Sequence, residues 1–132
     1  MPEYALDMSL AKETRAQLDD FTFAYIEAAM WTLTAEDGHS LDYLGLHDIA
    51  AEAITRMVAD CIAFQTTHAA LLAQAGTEAQ NGHDYWLTRN GHGAGYWDRG
   101  YPDAISDALT EAAQADGECY GYVGDDGLVY FD

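Results

Sequence analysis

The segment from His83 to Arg99 holds the densest set of residues able to do chemistry. It gathers His83, Asp84, Arg89, Asn90, His92, Asp98 and Arg99 around the glycine-dense stretch Asn90-Gly91-His92-Gly93-Ala94-Gly95, and it contains two of the chain's five Lys and Arg residues. An imidazole beside a carboxylate is a simple proton-transfer pair, so His92 is a candidate acid or base with Asp98 to orient it. Arg89 and Asn90 complete that candidate catalytic or ligand site. The glycines permit positive φ and a close approach of backbone to a bound molecule. A structural reading uses the same residues differently: Trp86 and Trp97 pack across a hairpin, and Asp84 or Asp98 pairs with Arg89 or Arg99. His83, His92, Asp84 and Asp98 are also metal-binding types. Their spacing matches neither His-Glu-x-x-His nor Cys-x-x-Cys, and no P-loop, Rossmann fingerprint or Gly-x-Ser-x-Gly elbow is present. No metal and no cofactor is therefore expected. Asp125-Asp126-Gly127 lacks the spaced ligands of a calcium loop and reads as a turn.

The second group is a row of carboxylates. Asp103, Asp107 and Glu111 stand at i, i+4 and i+8 and so share one face of a helix. Each step rises roughly 6 Å along the axis, close to the interval between successive phosphates along an inclined DNA strand, whose axial repeat is about 3.4 Å. Such a row can imitate phosphates. Asp19, Asp20 and Glu27 on one predicted helix, and Asp48, Glu52 and Asp60 on another, extend the acidic surface, with Arg56 interrupting the latter. Three readings fit: a nucleic-acid mimic that binds a basic nucleic-acid-binding protein, an ordinary solvated acidic face, and adaptation to high salt.

The whole composition agrees with an acidic partner-binding surface and excludes its opposite. There are 23 carboxylates against 5 Lys and Arg in 132 residues, a formal net charge of -18. Direct binding to nucleic acid or to an anionic membrane needs clusters of Lys and Arg that are not here. Nearly half the residues are apolar, with three Trp and nine Tyr. That supports a real core and argues against disorder. Cys61 and Cys119 are far apart and suit a reduced cytoplasmic protein. No basic start leads into an apolar run, and no stretch approaches the roughly 20 apolar residues of a membrane span, so neither a signal peptide nor a span is expected.

The elements that must position these groups follow from periodicity. Leu18, Phe21, Tyr25, Ala28 and Ala29 recur at helical spacing within 14–34, and a loop follows at 35–39. Residues 48–75 predict a long second helix with Asp48 as N-cap, Gly76 just past its end and a break near 65–67. His83 to Arg99, rich in Tyr, Trp and Thr around the glycine loop, predicts a β-hairpin. Pro102 opens a third helix that carries Ile105, Leu109, Ala112 and Ala113 and stops at Gly117. Cys119 to Phe131, with Asp-Gly in its turn, predicts a second hairpin. The expectation is one α+β domain over 1–132, in the order α-α-β-β-α-β-β. Two antiparallel hairpins pack against about three helices.

The block Tyr85-Trp86-Leu87-Thr88-Arg89-Asn90-Gly91-His92-Gly93-Ala94-Gly95-Tyr96-Trp97-Asp98-Arg99-Gly100 resembles one found in a group of small acidic proteins encoded by bacteriophages and related mobile elements. In that group a helical half precedes the block. A helix of the Leu109-Thr110-Glu111-Ala112-Ala113 type and a Tyr-Val-Gly-Asp-Asp-Gly hairpin, like Tyr122 to Gly127 here, follow it. The resemblance implies an accessory factor acting in the cytoplasm of a bacterial host. Some small acidic phage proteins block host nucleic-acid enzymes by posing as DNA, so this context favours the mimic reading: a non-enzymatic inhibitor of a basic host protein such as a defence nuclease or a CRISPR complex. A small enzyme centred on His92 and a homodimer formed through an aromatic face stand as the other readings.

Overall fold

The computed structural model describes residues 17–33 and 44–131. The first helix, α1, spans Asp20–Trp31. Asp19 caps it: its Oδ1 accepts from the Thr22 N–H at 2.7 Å, which satisfies one of the unpaired donors of the first turn. Phe21, Ala24, Tyr25, Ile26, Ala28, Ala29 and Met30 are all buried, so α1 is covered on most of its circumference. The predicted residues beyond its ends, 14–16 and 34, and the loop at 35–39 lie outside the described residues.

The long second helix is shorter than predicted and begins later. Asp48 does not cap it. It closes a single 3-10 turn, Leu46–Asp48, and its Oδ2 accepts from the Gly45 N–H at 2.8 Å. The next helix, α2, spans Ala51–Thr67 with Ala50 at its N-cap. The delay has a structural cause: Ile49 is bridged to Val129, and the Ala50 N–H donates to the Val129 carbonyl at 2.9 Å. Those two residues must stay extended to receive the C-terminal hairpin. At the other end His68 leaves helical geometry, with φ -115° and ψ 25°, and a short α3 follows at Ala69–Leu72. The predicted break is therefore real and falls one residue after the marked stretch.

The largest departure concerns residues 83–90. They are not a strand but the core of a helix, α4, spanning Glu78–Asn90. Its N-cap is Thr77, whose hydroxyl accepts from the Gln80 N–H at 3.1 Å. Its C-cap is Gly91 in the left-handed region at φ 66°, where glycine carries no Cβ penalty. Tyr85, Trp86, Leu87, Thr88 and Arg89 are all buried. A helix buried nearly all round loses the 3.6-residue stripe that would announce it, and its aromatic content then imitates a strand. The residues after it form an irregular loop and a 3-10 turn at Tyr96–Asp98. Helix α5 then spans Asp103–Ala115, and the chain ends in an antiparallel pair, β1 (Gly121–Val123) and β2 (Val129–Phe131). The described residues thus contain five helices and one hairpin: the α+β class is as expected, while the helix number and the first hairpin are not.

Helices α1 and α4 make the central contact of the fold, and Gly82 permits it. A Cβ at Gly82 would overlap the Phe21 carbonyl, so only glycine lets the two backbones come this close. Around the crossing the core is aromatic. Phe64 stacks on Tyr85 with centroids 4.1 Å apart, Tyr25 lies 5.1 Å from Tyr85, and Trp86 meets Tyr25 and Phe131 edge-on. The Trp86 indole N–H donates to the Thr32 hydroxyl at 2.9 Å. Trp86 therefore does not pair with Trp97, which is largely exposed on the loop. Among the described residues no helix is long and apolar enough to cross a membrane.

Candidate functional site

Arg89, one of the candidate catalytic residues, is a structural hub. Its side chain is only 6% exposed. Nε donates to the Gly117 carbonyl at 2.8 Å and Nη2 to the Asp116 carbonyl at 2.9 Å. Nη1 reaches the Tyr25 hydroxyl at 2.9 Å and Asp60 Oδ2 at 3.0 Å. The guanidinium carbon lies 5.3 Å from the Tyr85 ring centroid, and the Tyr85 hydroxyl donates to Asp116 at 2.6 Å. Burial works against the guanidinium's charge, but Tyr25, Tyr85 and Asp60 outweigh it and hold the group firmly cationic. One arginine thus ties α4 to α1, to α2 and to the end of α5.

The remaining members of the 83–99 set are also spoken for or dispersed. Asp84 is fully buried and takes a forked pair from Arg99, with Nη2 to Oδ1 at 2.7 Å and Nε to Oδ2 at 3.0 Å. Gln80 adds a third donor at 3.1 Å. Asn90 bonds the Trp86 carbonyl and accepts from the Cys119 N–H at 2.7 Å. His92 is exposed beside the Trp86 ring, 6.4 Å between centroids, and Asp98 is exposed on the next turn. No bond joins His92 to Asp98, Arg89 or Asn90 among the described residues. His83 meets Trp31 edge-on at 6.0 Å and lines a groove between α1 and α4. The described residues hold no group of three or more His, Cys, Asp or Glu placed to share a metal ion.

The acidic row is arranged differently. Asp103, Asp107 and Glu111 are all exposed on α5, while Ser106, Leu109 and Ala113 face inward. No hydrogen bond or ion pair engages the three carboxylates among the described residues. Of the other acidic candidates, Asp20, Glu27 and Glu52 are exposed and Asp48 is half-buried beside His47. Asp19 is spent as the α1 cap and also accepts from Gln65 at 3.1 Å. Burial alone would raise its carboxyl, but the Thr22 and Gln65 bonds outweigh that and hold it below the usual carboxylate range. Asp60 is the partner of Arg89. The α1 and α5 acids sit on two different helices, both packed on α4.

Two grooves border α1. One, of about 520 Å³, runs between α1 and α4 and includes Glu27, Trp31, Gln80 and His83. The other, about 320 Å³, is lined by Phe23, Ile26, Met30, Trp31, Leu44 and Leu46. Neither includes Arg89, Asn90, His92 or Asp98, so neither offers the concave site beside the glycine loop that catalysis there would need.

Sequence reasoning also passed over a surface on the hairpin. Strand alternation puts Val129 and Phe131 into the core and leaves Tyr122 and Tyr130 on the outer face, directly opposite one another. Their rings stack with centroids 5.7 Å apart, and Tyr120 continues the stack at 6.3 Å. The spacing Tyr120-x-Tyr122 ahead of the Asp-Gly turn was the available signal. No protein-family model, curated protein or solved structure matches this chain.

Proposed function

We propose that this chain is a non-enzymatic acidic protein that occupies the basic nucleic-acid-binding surface of a partner protein. The observation that carries the reading is the division of charge. Arg89 and Arg99 are already engaged by Asp60 and Asp84, and Arg56 donates to the Phe131 carbonyl at 3.3 Å. Asp103, Asp107 and Glu111 are left on one exposed helix face with no cation opposite them among the described residues. In a chain of net charge -18, such a face steers association with a cationic groove and repels nucleic acid itself. The repeat of roughly 6 Å per helical step suits a groove built to hold consecutive phosphates. The resemblance to phage-encoded acidic proteins directs the partner toward a host defence nuclease or CRISPR complex.

The test is capture from bacterial lysate on the immobilised chain, followed by competition. Duplex DNA should displace the captured protein, raised salt should weaken its binding, and the triple variant D103N/D107N/E111Q should bind it less tightly. Binding that ignores both DNA and salt would overturn the reading. Unchanged affinity of the triple variant would remove α5 from it.

A further inference from the structure

We infer that the tyrosine face of the C-terminal hairpin docks arginine side chains presented by a basic protein segment. Tyr120, Tyr122 and Tyr130 form a continuous stack, with ring planes 21° and 17° apart. Tyr120 is 66% exposed and Tyr122 37%. An aromatic ladder by itself would also suit unstacked nucleobases. The charge around it decides between the two. Asp126 accepts from the Tyr130 hydroxyl at 2.6 Å, and its other oxygen accepts from the Leu128 N–H at 3.0 Å. The carboxylate is thereby fixed in place at the end of the ladder, with lone pairs left to accept more. Asp125 is exposed next to it in the turn, and Glu52 of α2 lies close enough to act on Tyr130. Phosphates would be repelled here. A guanidinium fits both features: its planar, weakly hydrated face stacks on tyrosine, and its N–H fork meets a carboxylate. A lysine ammonium can also sit over a ring, but it is strongly hydrated and has neither the planar face nor the fork.

The inference rests on the basic partner proposed above but places a second, separable contact on it. The probes are an octa-arginine and an octa-lysine peptide, titrated calorimetrically into the full chain. The arginine peptide should bind about two- to fivefold tighter, the range spanned by an exposed cation–π contact. The variant Y120L/Y122L should bring the ratio to about one while both peptides keep their salt dependence. The D103N/D107N/E111Q variant should weaken both peptides alike and leave the ratio intact, which separates failure of this inference from failure of the α5 reading. Amide and side-chain NMR shifts of the unmodified chain on arginine-peptide addition should centre on Tyr120, Tyr122, Tyr130 and Asp126. That measurement stands even where the double variant folds poorly. Equal affinity for the two peptides, a preference that survives in Y120L/Y122L, shifts elsewhere, or binding of a single-stranded oligonucleotide at the ladder would each overturn the assignment.

Discussion

The Arg89 guanidinium donates to the Tyr25 hydroxyl across 2.9 Å, joining two helices whose residues are 64 positions apart in the chain. The same group satisfies two carbonyls after α5 and pairs with Asp60 on α2. Replacing it with Met would strand the buried Tyr25 hydroxyl and remove the donors from the part-buried Asp116 and Gly117 carbonyls. Asp60, 39% exposed at its side chain, would recover hydration. The expected loss is about 1–3 kcal/mol, the range for leaving a buried polar group without its partner. Arg89→Lys should recover only part of it, because an ammonium cannot serve the three directions that the fork reaches. Urea denaturation of the three proteins checks both statements.

How far this hub could be read beforehand shows where sequence reasoning ends. The residue types suggested structural ion pairs of Asp84 or Asp98 with Arg89 or Arg99; Asp84 with Arg99 is one of them, and Asp98 forms none among the described residues. Asp60, 29 residues from Arg89, could not be chosen without the packing of α2. The α5 row was legible because i, i+4, i+8 is a local rule that needs no tertiary information. The C-terminal hairpin was legible for the same reason, from its Asp-Gly turn. Helix α4 was not, because Tyr85, Trp86 and Thr88 are strand formers by type and burial on all sides erased the helical stripe. Its local signals were present even so: Thr77 and Gln80 in capping-box spacing, and Gly91 at the end.

Gly82 supplies a second test of the α1–α4 crossing. Alanine normally favours a helix interior over glycine by about 1 kcal/mol. Here the added methyl meets the Phe21 carbonyl, which is backbone and cannot rotate away. Gly82→Ala should therefore destabilise the protein, by about 1–3 kcal/mol as in overpacked cores. Chemical denaturation gives the sign directly, and a stabilised variant would mean that the helices separate at little cost.

Alkaline pH should unfold the protein through its tyrosines. The Asp126 hydrogen bond, above all, pushes the Tyr130 hydroxyl up to about 12 from an ordinary 10.0. An unfolded chain releases that proton near pH 10 while the folded one retains it. The contribution is thus complete below pH 10 and is lost as pH rises from 10 to about 12. Burial raises Tyr25, Tyr85 and Tyr96 in the same direction, so stability should fall steeply once pH passes 10. Asp126 runs the other way: its bonds to Tyr130 and Leu128 lower it from 3.8, and its contribution is lost as pH drops below that value. Ultraviolet titration of tyrosine in Asp126→Asn should show one hydroxyl returning toward 10. An unchanged titration curve would mean that the Tyr130–Asp126 bond is not kept in solution.

The α5 row makes a prediction about stability that is independent of any partner. Asp107 repels both Asp103 and Glu111 at i±4, and each such pair costs roughly 0.2–0.5 kcal/mol. Asp103 also stands in the first turn of α5, where its charge meets the positive end of the helix dipole and gains about 0.3–1 kcal/mol. Neutralising all three should nearly cancel. D107N/E111Q relieves both repulsive pairs and keeps the favourable one, so it should stabilise the protein by about 0.4–1 kcal/mol at low salt. The gain should shrink as salt rises, since the Debye length falls from about 30 Å at 0.01 M to about 3 Å at 1 M. Urea denaturation of the native chain and D107N/E111Q at those two salt concentrations measures this. The same experiment bears on the high-salt reading of the acidity. A native chain that unfolds cooperatively from a stable state at the lower concentration has no need of salt to fold, which leaves partner binding and an ordinary solvated face as the two readings of the α5 carboxylates, and the capture experiment decides between them.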